Sequence, residues 1–217
     1  TEQLKDAVEQ HPNNARLRLT LGRLLHDQGF IPAALTAMRQ AARLEPDDPD
    51  ILLALGDLLA TTGHHQEAIP VLEKASSLLP NSTDAKMRLA EVCLAAGDHG
   101  RAKDYLIPVI AKEPDSAQAH HIMSLINEAE GDLSTALDEA TRAVSKSPEQ
   151  ANLRCHRAQL LAKCGATAQA LQEAQQAVNL CPDGATPLMT LASLLADAGR
   201  TEEALTWYGQ ATKVAPN

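Results

Sequence analysis

The chain has 217 residues, 44% of them hydrophobic but only 2% aromatic, and a formal net charge of −9. So few aromatic residues disfavour a β-sandwich, whose strands draw on aromatic and β-branched side chains. The acidic balance argues against a nucleic-acid partner, because phosphates reward a basic face. No apolar run is long enough to cross a bilayer, so membrane insertion is not expected. Thr1 is followed by no signal-like apolar segment. Any targeting peptide is therefore expected to lie outside this sequence, and two soluble locations, cytoplasmic and periplasmic, stay open.

Residues 1–14 carry Leu4, Ala7 and Pro12 in the phase of a second helix, and read as the back half of a truncated preceding repeat. A strict period of 34 then runs along the chain. Proline recurs at Pro12, Pro46, Pro80, Pro114, Pro148, Pro182 and Pro216, and glycine at Gly29, Gly63, Gly97, Gly131, Gly165 and Gly199. A third series, Ala34, Ala68, Ala102, Ala136, Ala170 and Ala204, keeps the same spacing. Three residue types in phase define a repeat array. Six units follow residue 14, at 15–48, 49–82, 83–116, 117–150, 151–184 and 185–217.

In the unit 49–82, Ile51, Leu52, Leu55, Leu58 and Leu59 fall on one side of a first helix, expected over 50–62. Pro49 starts it, where the missing N–H costs nothing. Gly63 stops it, since glycine enters the left-handed region that closes a helix C-terminus. A second helix over 66–79 presents Ala68, Ile69, Leu72, Ala75 and Leu79, and Ser82 offers a cap to the next unit. A small series (Gly22, Gly56, Ala90, Ser124, Ala158, Ala192) lets the first helix approach the alanine series of the second. Pro70 and Pro108 fall inside second helices, and Pro108 is expected to bend its helix.

This pattern of a small residue, then Gly and Ala at the hairpin, a second Ala and a final Pro resembles the tetratricopeptide repeat (TPR) family across essentially the whole chain. The departures lie where the family places aromatics, at Leu25, Leu59, Cys93, Asn127, Leu161 and Leu195. The resemblance implies an all-α fold, a right-handed α-solenoid of helix–turn–helix units whose first helices line a concave groove. Carried over by phase, the groove residues are Leu19, Leu53, Met87, His121, Cys155 and Met189 in one row. Arg88 and His156 stand in a second row, and Arg23, Asp57, Glu91, Leu125 and Gln159 in a third. Of the family's clamp for acidic C-terminal peptides only Arg88 is present, and its asparagine ladder is missing.

The chain has no G-x-S-x-G elbow, Walker loop, H-E-x-x-H or glycine-rich dinucleotide turn. No catalytic residue, metal site or cofactor is expected. Cys93, Cys155, Cys164 and Cys181 form no C-x-x-C pair and read as free thiols. His64 and His65 read as a solvated turn, whereas His121, Cys155 and His156 gather soft-metal ligand types on adjacent first helices. The expected function is a non-enzymatic scaffold, a fragment of a larger protein, whose groove binds a peptide segment. With Asp50, Asp57, Asp84 and Glu91 read as an acidic stretch, that partner carries basic and apolar residues. Two alternatives remain: a self-assembling module with weak end-to-end association through an uncovered Trp207, Tyr208, Ala211 and Val214, and the substrate-recruiting arm of an enzyme.

Overall fold

In a computed structural model of the chain, residues 2–215 are described. The expected array end at Pro216–Asn217 lies outside them. The described residues form thirteen helices joined by short turns, without a strand. They divide into two compact units, Thr1–Val109 and Ile110–Asn217. The first holds α1 (Glu2–Gln10), α2 (Ala15–Asp27), α3 (Ile31–Leu44), α4 (Pro49–Thr61), α5 (His65–Leu78) and α6 (Thr83–Ala95). Helix α7 (His99–Lys112) runs from the first unit into the second. The second continues with α8 (Ala117–Ala129), α9 (Leu133–Lys146), α10 (Ala151–Lys163), α11 (Thr167–Leu180), α12 (Ala185–Asp197) and α13 (Thr201–Val214). Each unit is a helical-repeat solenoid segment: α2 packs on α3 and α4 on α5 in the first, α8 on α9, α10 on α11 and α12 on α13 in the second, with α3 on α4, α5 on α6, α9 on α10 and α11 on α12 joining successive pairs within a unit.

The turn inside every hairpin is built alike. Gly63 takes φ +79°, and the other five turn glycines lie between +77° and +85°. The Gly63 N–H donates to the Ala60 carbonyl, and the His64 N–H reaches back to Leu59 at 2.8 Å. That six-to-one bond is the Schellman closure of a helix end. Four first helices start on side-chain caps: Asn14, Asp48, Ser82 and Ser116 each accept a backbone N–H of the helix they precede. The small and alanine series meet as expected. Gly22 lies under Met38 and Gly56 under Leu72, and Ala34, Ala68, Ala102, Ala136 and Ala170 are fully buried. Helices α5 and α7 continue through Pro70 and Pro108.

Three repeats share a polar clamp that the periodic apolar pattern does not announce. Nε of Arg18 donates to the Pro12 carbonyl at 2.9 Å, and Nε of Arg154 to the Pro148 carbonyl at 2.8 Å. In the same register, His120 Nε2 donates to the Pro114 carbonyl at 3.0 Å. Each side chain also binds its own second helix: Arg18 to Gln40, His120 to Glu139, and Arg154 to Glu173 and Gln176. The clamp thus ties the proline turn before a repeat to the hairpin that follows it.

Candidate functional site

The groove residues fall into three groups by burial. Leu19 and Cys155, 7% and 3% exposed, are taken up by packing, which removes them from the surface expected of them. Cys155 sits against the Thr190 hydroxyl, and burial pushes its thiol pKa up, so it is not a reactive thiolate. Leu53, Met87, His121 and Leu125 are half-buried, whereas Arg23, Glu91, Gln159 and Met189 are exposed, Met189 by 54%.

In the first unit, side chains from α2, α4 and α6 converge on one open cleft of about 330 Å³. Leu53, Ala54, Leu58 and Met38 give its apolar lining; Arg23, Asp50, Asp57 and Arg88 supply charge. Arg88 lies between two acids, with Nη1 on Asp57 of α4 and Nε 2.9 Å from Asp84 on its own helix. Burial alone would lower the Arg88 pKa, but the hydrogen bonds and charges of Asp57 and Asp84 outweigh it and raise the pKa. This corrects the expected acidic stretch. Asp57 and Asp84 already hold a cation from the protein itself, because an offset of 31 residues, one repeat less three, sets Arg88 opposite Asp57. A basic partner is therefore not called for by those two carboxylates. In the second unit Gln159 joins Thr190, Ser193 and Asp197 around a polar cleft of about 610 Å³ between α10 and α12.

The second unit also contains a Ser–His–Glu arrangement that sequence reasoning missed, because Ser124 read only as a small packing residue. Ser124 Oγ lies 2.9 Å from His156 Nε2, and Glu128 Oε2 lies 3.7 Å from His156 Nδ1. The single Ser124 hydroxyl proton goes to the Ala136 carbonyl at 2.7 Å. His156 Nε2 must then donate to Ser124, so it cannot act as the base that would activate it. Ser124 is also 0% exposed. The group binds α8 to α9 and α10, and offers no nucleophile.

His121 packs edge-on against His156, ring centroids 5.0 Å apart. Burial, then the neighbouring His156, lower its pKa to about 4, Glu128 opposing. Burial also lowers the His156 pKa, with Glu128 opposing and Lys163 adding to the shift. With His156 Nε2 committed to Ser124 and Cys155 turned to Thr190, the three do not converge as ligands. Among the described residues no group of three or more His, Cys, Asp or Glu side chains is arranged to hold a metal ion. At α13, Trp207 packs against the core and Ala211 is buried, which corrects their expected exposure; Tyr208 and Val214 are exposed.

Models of the tetratricopeptide repeat match residues 19–83, 59–126 and 185–217. The chain belongs to the tetratricopeptide repeat family. Among solved TPR structures, a protein from Parabacteroides merdae is 18% identical with a TM-score of 0.86, the match covering 100% of this chain and 86% of that one. MamA (41-end) from Desulfovibrio magneticus RS-1 is 25% identical with a TM-score of 0.65, covering 76% of this chain and 94% of that one. YrrB, described as a TPR protein with an unusual peptide-binding site, is 19% identical with a TM-score of 0.59, covering 85% and 95%. No curated protein matches the sequence. TPR proteins generally serve as non-catalytic scaffolds for protein interaction, and this chain has that scaffold. No helix among the described residues is long and apolar enough to cross a membrane.

Proposed function

We propose that this TPR chain is a non-enzymatic scaffold that binds a peptide segment of another protein on the face formed by its first helices. One observation carries the reading: in the first unit three successive first helices contribute to a single open cleft with an apolar floor and a charged rim. Such a face binds an extended or helical segment with little ordering of the scaffold, so less of the contact energy is lost to entropy. The same fold carries a peptide-binding site in YrrB. The committed Ser124 hydroxyl leaves no catalytic role for the most enzyme-like constellation.

The test is site-specific photocrosslinking in cells. A photoreactive residue at the exposed Thr61, on the cleft, is expected to capture a partner protein, whereas one at Leu205 on α13 is not. Capture from Leu205 alone would move the interaction off this face. The self-assembly reading draws on that same helix, where Leu205 is 66% exposed beside Tyr208. Light scattering across concentration decides it, since a scaffold for a foreign peptide keeps a constant mass.

A further inference from the structure

The cleft between α2, α4 and α6 carries a charge pattern that specifies more than "a peptide", provided the peptide-binding reading above holds. Of its four charged side chains, two are spent. Arg88 and Asp57 pair with each other, and Asp84 closes the second side of the guanidinium. The other two, Arg23 on α2 and Asp50 at the start of α4, are exposed and make no side-chain hydrogen bond or ion pair among the described residues. Among the described residues, one free cation and one free anion therefore line the cleft together with the apolar Leu53, Ala54, Leu58 and Met38.

We infer that this cleft selects a peptide in which one apolar side chain is flanked by an acidic residue on one side and a basic residue on the other. The apolar side chain enters the floor, the acidic residue meets Arg23, and the basic residue meets Asp50. An arginine presents a planar fork that grips a carboxylate through two bonds, so Arg23 is the stronger selector. Asp50 accepts a lysine or arginine and, being on the rim, acts more on encounter and order than on net affinity. A volume of about 330 Å³ sits at the small end of ligand pockets, which run from roughly 300 to 1,000 Å³. It houses one side chain rather than a cofactor; its lining holds no Phe, Tyr or Trp, and His26 is the one ring there. Arg88 and Asp57 are engaged with each other, which leaves the order of charges to Arg23 and Asp50.

The experiment is selection of random linear peptides displayed on phage, against the native chain and against its Arg23→Glu and Asp50→Lys variants. Both positions are exposed, and circular dichroism verifies that the variants stay folded. The native chain is expected to enrich peptides with Asp or Glu and Lys or Arg on opposite sides of Leu, Met or Phe. A synthesised winner should bind Arg23→Glu about tenfold more weakly, a loss typical of one charged hydrogen-bonding group. Exchanging the peptide's acid for lysine should restore binding to that variant. Enriched peptides without this charge order, or with one that neither substitution disturbs, would overturn the inference and leave peptide binding standing. Enrichment of no peptide would remove both. Saturable binding of free leucine with the same dependence on Arg23 would make the ligand an amino acid and also overturn the inference.

Discussion

Ser124 sits at 0% exposure between two partners it satisfies with one hydroxyl, accepting from His156 and donating to Ala136. Ser124→Ala leaves the buried Nε2 of His156 unpaired, and should cost about 1–3 kcal/mol in denaturant unfolding. His121 and His156 beside it make the fold sensitive to acid. Folded His121 stays neutral to about pH 4, whereas the unfolded chain takes the proton near 6.5. Between those values the unfolded state binds more protons, so stability is full above about 6.5 and is lost as pH falls towards 4. After allowance for its partial exposure the loss is on the order of 2 kcal/mol. The native chain should lose more stability between pH 7 and pH 4.5 than His121→Phe does. Equal losses would place the acid sensitivity elsewhere. This cluster was half legible: the period set His121 and His156 on neighbouring first helices, but Ser124 occupied a position where the sequence demanded only smallness.

At the scale of the helix pair, glycine means opposite things in two places. A Cβ on Gly56 would lie 2.3 Å from Leu72 Cδ2 and 2.5 Å from its Cγ, and Leu72 is fully buried and cannot swing away. Gly56→Ala gains up to about 1 kcal/mol of helix propensity but loses about 1–3 kcal/mol to overpacking, so it should destabilise. Gly209 in α13 has nothing near such an atom. Gly209→Ala should therefore stabilise by about 0.5–1 kcal/mol. Thermal unfolding of both variants reads the signs, and a stabilised Gly56→Ala would mean that the hairpins do not close this tightly. Helix ends and these close approaches were readable because each rests on residues within one repeat. The observed α4 and α5 lie one residue before the expected 50–62 and 66–79. The Arg88–Asp57 pair and the clamps of Arg18, His120 and Arg154 were not readable. Each joins residues whose facing depends on how one helix rests on another, and no alternation of apolar and polar positions encodes that.

On the scale of the molecule, the core clusters of the second unit each join residues of consecutive repeats. In the second unit, buried side chains of α10, α11, α12 and α13 form one continuous cluster that joins consecutive repeats. A lone repeat such as 49–82 would expose both flanks, and should be largely unfolded by circular dichroism. A well-folded single repeat would contradict this account. Ion pairs also cross between repeats, among them Arg39–Glu67, Lys74–Asp47 and Lys163–Glu128. Exposed pairs of this kind contribute about 0–1 kcal/mol each, so added salt should shift unfolding only slightly. Net charge alone suggested a broadly acidic surface; the pairing that neutralises part of it becomes visible only once the repeats are stacked.

The turn glycines carry one last consequence, and it concerns handedness. At Gly63 the backbone sits at φ +79° with nothing within 4 Å of where a Cβ would stand. The obstacle to a side chain there is chirality rather than space. L-alanine should cost about 1–2 kcal/mol, because its methyl group meets its own carbonyl in this conformation. D-alanine, for which a positive φ is the natural basin, should instead add a few tenths to about 1 kcal/mol by narrowing the unfolded ensemble. Semisynthesis of the two mirror-image variants, identical in composition and opposite in effect, would measure how far each hairpin depends on an achiral residue at its tip.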